Sequence, residues 1–184
     1  QKFYEVWAIA SDLTVVIQNF WSVDVSGEIR SDVTFERDTC FDDPNAFVTS
    51  CRQRYGQLSS VIVSAKHLKK VDTSVAVGSN YLHVFIVYAL ATLGNSFIIA
   101  QPNLLVRLGG TNFGITGNAI LKTAVKGSNL LCLLTELGYS RATLRKLQNE
   151  SMWYVAAVLG SGKLLPGFRS AVAAETIAKS TFPY

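Results

Sequence analysis

One long stretch of this chain, residues 73–121, carries a single formal charge, that of Arg107. Its most apolar part is residues 81–100, and about twenty apolar residues are enough to cross a bilayer. Gly94 and Asn95 interrupt this part, and both residue types tolerate the left-handed geometry of a helix C-cap. The interruption leaves roughly a dozen helical residues, which predicts a buried core helix rather than a membrane span.

A helix that is apolar on all sides must be surrounded by other elements. Residues 3–21 have apolar positions at helical spacing, so they predict a helix at the N-terminus. The sequence therefore predicts an all-α fold, a compact domain of about seven or eight helices around the central apolar helix. With 184 residues, the chain 1–184 is expected to form a single domain.

Two further elements are predicted before the central helix. Apolar and polar residues alternate through residues 22–36, which indicates a small β-hairpin or arm that turns near Ser26-Gly27 and leans on the helices or on a neighbouring subunit. Asp43 and Pro44 then form a helix start, and this helix is expected to continue to about Lys70.

Composition and charge distribution favour association with partners. Hydrophobic residues make up 49% of the chain and charged residues 16%, whereas about a quarter is usual for a soluble protein. Residues 1–104 hold eight Lys/Arg and ten Asp/Glu, and the basic half, residues 105–184, holds nine and three. An acidic N-terminal part and a basic C-terminal part favour self-association or the binding of an anionic ligand.

The cysteines and the N-terminal sequence indicate the cellular compartment in which the protein is expected. Cys40, Cys51 and Cys132 form no CxxC pair, so we predict buried free thiols rather than a disulfide framework or zinc site. The sequence shows no signal peptide. These features predict a reducing, intracellular compartment or the interior of an assembled particle. No cofactor and no metal are predicted.

The sequence does not favour an enzyme. His67 and His83 lie within apolar helical patterns, where a lone histidine is usually a core residue. The glycines of residues 109–117 do not match GxGxxG. Residues 160–163 resemble part of a P-loop, but Ala157 stands where the first Gly of that motif should be and Leu164 where its Ser or Thr should be.

Residues 130–147 read LLCLLTELGYSRATLRKL and resemble a helix-turn-helix motif. An apolar helix is predicted to end at Leu137-Gly138, and Ser140 is predicted to cap a second helix that presents Arg141 and Arg145. Leu134 departs from the motif, because a small residue usually stands there to let the two helices approach.

Basic residues gather in the C-terminal half, with aromatic residues between them. Cations neutralise phosphates and aromatic rings can stack on unpaired bases, so this pattern predicts a nucleic-acid interface. The predicted binding residues are Lys122, Lys126, Arg141, Arg145, Lys146, Arg169 and Arg107. The interleaved aromatic residues are Tyr139, Trp153, Tyr154 and Phe168.

Together these features predict a structural subunit that assembles with copies of itself, as nucleocapsid or coat proteins do. It would bind single-stranded RNA through the phosphate backbone, without reading bases. The first alternative is a helix-turn-helix DNA-binding protein that uses residues 130–147. The second is a membrane-associated helical protein, although a membrane partner is not expected.

Overall fold

The computed structural model describes residues 6, 12–23, 26–31, 35–51, 58–77, 82–107 and 133–160, the last ten by their backbone. Contacts group the chain into two units, one of residues 1–77 with 82–109 and the other of residues 78–81 with 110–184. This grouping does not test the prediction of a single domain, which stays a prediction.

The first unit contains two β-sheets, so the all-α prediction is wrong and the fold is mixed α/β. The strands are β1 (Leu13–Gln18), β2 (Trp21–Val23), β3 (Ile29–Ser31), β4 (Thr39–Phe41), β5 (Val61–Val63), β6 (Asn95–Ile99) and β7 (Leu105–Arg107). The helices are α1 (Pro44–Cys51), α2 (Ala65–Leu68), α3 (Leu82–Ala91) and, in the second unit, α4 (Arg141–Gly160).

The larger sheet has the order β4-β6-β1-β5 and is organised around β1. β1 pairs in parallel with β6 and antiparallel with β5, and all six of its residues are buried. This strand and the start of β2 replace the C-terminal part of the helix predicted over residues 3–21; of residues 3–11 the structure describes only Val6, which is helical. A segment rich in Val and Ile suits a strand covered on both faces, where the polar Thr14 and Gln18 are buried as well. Such a strand lacks the alternation of polar and apolar residues by which a half-buried strand is recognised.

Both faces of the larger sheet are covered. Val16 and its register partners Ile62 and Phe97 pack with Val6 on one face. Helix α3 packs against β1 and β5, and α1 packs against α3 and β6. The predicted buried core helix is confirmed by α3, in which seven of ten residues are buried, although this unit contains β-sheets and is not a set of helices packed around α3. Within the described residues, no helix is both long and apolar enough to cross a membrane.

The predicted hairpin is confirmed, although it is not a free arm. β2 and β3 are antiparallel with Val23 opposite Ile29, and Gly27 between them has a φ of 85°. β2 also pairs in parallel with β7, which makes a three-stranded sheet with the order β3-β2-β7. The hairpin is therefore supported by β7 of the same chain.

The start of α1 is as predicted, but its end is not. The Asp43 carboxylate accepts hydrogen bonds from the Asn45 side-chain amide (3.1 Å) and from the backbone N–H groups of Asn45 (2.9 Å) and Ala46 (3.2 Å). These hydrogen bonds lower the pKa of Asp43, and the bond from the Asn45 side chain has the largest effect. The helix predicted to reach Lys70 gives way to β5 over Val61–Val63, because β-branched residues favour a strand there and β1 offers it a partner.

Gly94 has a different role from the predicted helix cap. α3 ends at Ala91, and Gly94 is not among the glycines with positive φ. A Cβ at this position would lie 2.7 Å from the Asp12 carbonyl oxygen and 2.9 Å from Thr14 Cγ2. The glycine therefore allows the chain to pass close to the start of β1 as it enters β6.

The predicted burial of the thiols holds for one described cysteine and not for the other. Cys51 is buried in α1, and burial raises the pKa of its thiol. Cys40, in β4, is exposed. Cys132 lies outside the described residues.

Candidate nucleic-acid interface

Helix α4 begins where the sequence predicts it. Residues 133–136 form a helical turn, and Gly138 follows with a φ of 83°, a conformation that favours glycine. The Ser140 hydroxyl then accepts a hydrogen bond from the Thr143 backbone N–H at 3.1 Å and lies 2.9 Å from the Thr143 hydroxyl. This confirms the predicted Ser140 cap, which fixes the direction in which the first turns of α4 leave the loop.

The N-terminal half of α4 separates a buried face from a charged face. Thr143 and Leu147 are buried, whereas Arg141, Arg145 and Lys146 are exposed. Arg141 and Arg145 are one helical turn apart, so their side chains leave the helix as neighbours. The structure thus brings three of the seven predicted binding residues onto the solvent side of one helix.

Arg141 stands at an electrostatically unfavourable place in its own helix. The N-terminus is the positive pole of the helix dipole, and a cation there costs roughly 0.3–1 kcal/mol. The first turn of α4 contains no acidic residue that would offset this cost. An anion bound at this end would interact favourably with both the arginine and the helix terminus.

The other predicted binding residues are not placed on this face. Lys122, Lys126 and Arg169 lie outside the described residues. Arg107 belongs to the first unit, where it ends β7 opposite Val23 of β2. Within the described residues, the candidate interface therefore consists of Arg141, Arg145 and Lys146.

Of the aromatic residues expected to stack on bases, Tyr139 is buried, with 5% of its surface exposed. The Tyr139 ring therefore packs in the interior of the protein and is not accessible for stacking on a base. Trp153 and Tyr154 are described by their backbone within α4, and Phe168 lies outside the described residues.

A histidine and a glycine-rich segment could suggest catalysis, metal binding or nucleotide binding. His67 is buried, and its Nδ1 is 2.9 Å from the Ser64 hydroxyl, so it anchors the start of α2. Among the described residues, no group of three or more His, Cys, Asp or Glu could hold a metal ion. The glycine-rich residues 109–117 lie outside the described part of the chain.

Sequence reasoning missed an exposed apolar surface on the smaller sheet. Trp21 of β2 pairs with Leu105 of β7, and Val23, two residues further along β2, pairs with Ile29 of β3. Trp21, Ile29 and Leu105 are 40%, 58% and 60% exposed, and we call them the apolar sheet face. The alternation in residues 22–36 indicated a hairpin with one apolar side, but not that this side stays exposed.

Comparison with known proteins adds no constraint on these surfaces. No protein-family model, no curated protein and no solved structure matches the chain.

Proposed function

We propose that this chain is a structural subunit that binds the phosphate backbone of single-stranded nucleic acid, RNA in particular, through the exposed cations of α4. The observation that carries the proposal is the placement of Arg141, Arg145 and Lys146 together on one solvent-exposed helix face. Among the described residues no ion pair neutralises them. Their charges are therefore available to phosphates, whose counterions are released on binding.

The number of cations determines how strongly the binding constant should depend on salt concentration. Neutralising three phosphates of a single strand gives a slope of about −2 for the logarithm of the binding constant against the logarithm of the salt concentration. Such binding is weak for one subunit and becomes strong when neighbouring subunits bind one strand together.

The test is binding of fluorescein-labelled polyuridylate and polyadenylate, followed by anisotropy over a salt series. The triple variant Arg141→Gln, Arg145→Gln, Lys146→Gln should weaken binding to both polymers and reduce the salt slope by about 2. The matched control, Lys66→Gln, Lys69→Gln, Lys70→Gln, removes the same charge from exposed sites in the first unit. Equal effects of the two triple variants would refute the proposal, because only net charge would then matter.

Self-association is the second part of the proposal, and the apolar sheet face supports it. Three large apolar side chains stand on a small sheet, in a chain with few charged residues. Contiguous exposed apolar surface often marks an interface. Sedimentation of the variant Trp21→Ser, Leu105→Ser should show smaller species than the wild-type chain, with Val77→Ser as an exposed control outside the face. An unchanged distribution would exclude this face.

A helix-turn-helix DNA-binding protein is the alternative, and the capped turn between residues 137 and 140 favours it. A recognition helix presents its N-terminal residues to base edges, and Arg141 and Arg145 occupy that end of α4. If this alternative holds, Arg141→Gln should relax sequence preference on duplex DNA selected from a random pool. A uniform loss of affinity across all sequences instead supports backbone binding.

A further inference from the structure

A second set of exposed cations lies in the first unit, and exposed apolar residues follow it within the same short segment of the chain. Lys66, Lys69 and Lys70 are exposed, and Val75 and Val77 follow with 50% and 71% of their surfaces exposed. We call these five residues the Lys–Val surface. Within the part of the chain that the structure describes, no ion pair engages the three lysines.

The three lysines project from a turn whose backbone is held in place by hydrogen bonds. The buried His67 bonds to the Ser64 hydroxyl, and its carbonyl oxygen accepts the Lys70 N–H at 2.9 Å. The Leu68 N–H bonds to the Ser64 carbonyl oxygen at 2.9 Å. The backbone that carries the lysines is thus ordered before any ligand arrives, which reduces the entropy lost on binding.

The valines are presented by a second ordered turn. The Asp72 carboxylate accepts hydrogen bonds from the Ser74 hydroxyl at 2.6 Å and from the Ser74 N–H at 2.9 Å. Ala76 is buried and its N–H bonds to the Thr73 carbonyl oxygen at 3.1 Å. Burial of Ala76 between two exposed valines holds the tip of the turn against the unit while Val75 and Val77 project into solvent.

We propose that the Lys–Val surface binds the surface of a bilayer that contains anionic lipids. Lysines near such a membrane are attracted to its negative headgroups, and apolar side chains beside them enter the boundary between headgroups and acyl chains. The charges alone would also suit nucleic acid. The exposed valines favour the membrane, because a phosphate backbone offers them no apolar contact. This inference is independent of the proposed function of α4.

The charge contribution follows from the number of lysines. Each lysine at the surface of an anionic leaflet strengthens binding about fivefold, which corresponds to about 1 kcal/mol. Three of them predict that their removal weakens partitioning onto anionic vesicles about a hundredfold. Asp72 lies within the same segment and lowers the attraction of the whole surface below the sum for three cations.

The experiment is co-sedimentation of the whole chain with vesicles of phosphatidylcholine containing one-third phosphatidylserine, beside vesicles of phosphatidylcholine alone. Wild-type chain should sediment with the anionic vesicles only. Lys66→Gln, Lys69→Gln, Lys70→Gln should abolish this, and Val75→Ser, Val77→Ser should weaken it several-fold without altering its salt dependence. The charge-matched control is Arg141→Gln, Arg145→Gln, Lys146→Gln, which should sediment as wild type does.

Three results would overturn the proposal. The first is equal sedimentation with both kinds of vesicle, and the second is equal loss in both triple variants. The third is a lysine variant that loses affinity for single-stranded RNA while vesicle binding persists, since the surface would then be a nucleic-acid site. Circular dichroism and thermal unfolding of each variant establish that the chain is folded before its binding is compared.

Discussion

The side chain of Asn19 holds together three segments that connect the two sheets of the first unit, and its removal should destabilise the fold strongly. Its amide donates to the carbonyl oxygens of Phe35 at 2.8 Å and Ala100 at 2.6 Å, and its oxygen accepts the Phe35 N–H at 3.2 Å. Asn19 itself is 2% exposed and stands between β1 and β2. Both Phe35 groups are buried, so water cannot replace the lost bonds there.

The size of the effect follows from these three bonds. In the variant Asn19→Ala, two buried Phe35 groups lose their partner at roughly 1–1.5 kcal/mol each. The Ala100 carbonyl oxygen is only partly buried, so water compensates for most of that loss. We expect the free energy of unfolding to fall by about 2–3 kcal/mol, a large part of the roughly 5–15 kcal/mol typical of a domain.

Urea unfolding followed by tryptophan fluorescence and circular dichroism measures this change. Asn103→Ala is the matched control, because Asn103 is exposed and donates only to the neighbouring Gln101 carbonyl oxygen at 2.9 Å. It should alter stability by less than about 0.5 kcal/mol. A loss below about 1 kcal/mol for Asn19→Ala, at an unchanged denaturant slope, would refute the idea that these bonds hold the connecting segments together.

Further predictions concern close packing, helix capping and thiol reactivity. Gly94→Ala should lower stability by about 1–3 kcal/mol in urea unfolding, because its Cβ would press on the Asp12 carbonyl oxygen. Asp43→Ala should remove about 1 kcal/mol at neutral pH. Since the pKa of Asp43 is lowered by folding, its contribution is present above its unfolded pKa and is lost as the pH falls through its folded pKa, so the two proteins should converge in acid. Iodoacetamide labelling read by peptide mass spectrometry should modify exposed Cys40 in the native chain and modify Cys51 only after unfolding.

Signals carried by neighbouring residues predicted the local structure well. Asp43 before Pro44 marked the start of α1, Gly27 marked the hairpin turn, and Gly138 with Ser140 marked the entry to α4. Each signal depends on a bond or a backbone angle within four residues. Such signals do not depend on how the rest of the chain folds.

The larger sheet could not be predicted in the same way, because its strands are defined by distant partners. β5 has three residues and gains its strand geometry from β1, whose Val15 pairs with Val63. β1 itself is buried on both faces, so it shows neither the alternation of a half-buried strand nor a polar helix face. Apolar spacing therefore predicts a helix at both segments.

Part of the candidate site could be predicted, because helical spacing places Arg141 and Arg145 on one face once the Ser140 cap is known. Burial could not be predicted from spacing, and Tyr139 shows this, since its neighbouring cations suggested a stacking ring while the structure buries it. The exposure of Trp21 was missed for the converse reason. A large aromatic residue in an apolar pattern is normally a core residue, and the sequence does not show that the small sheet leaves one face uncovered.

The excess of hydrophobic residues, read from composition as a sign of partners, has a more local explanation in the structure. A strand buried on both faces and a helix with seven buried residues need almost no charged side chains, so β1 and α3 account for part of the apolar content. Composition is therefore weaker support for self-association than an exposed apolar surface is. The argument for self-association now depends mainly on the apolar sheet face, and the argument for a membrane partner depends on the Lys–Val surface. Because one has neighbouring lysines and the other is defined by large apolar residues, they should respond oppositely to salt: self-association should strengthen and membrane binding should weaken as ionic strength rises.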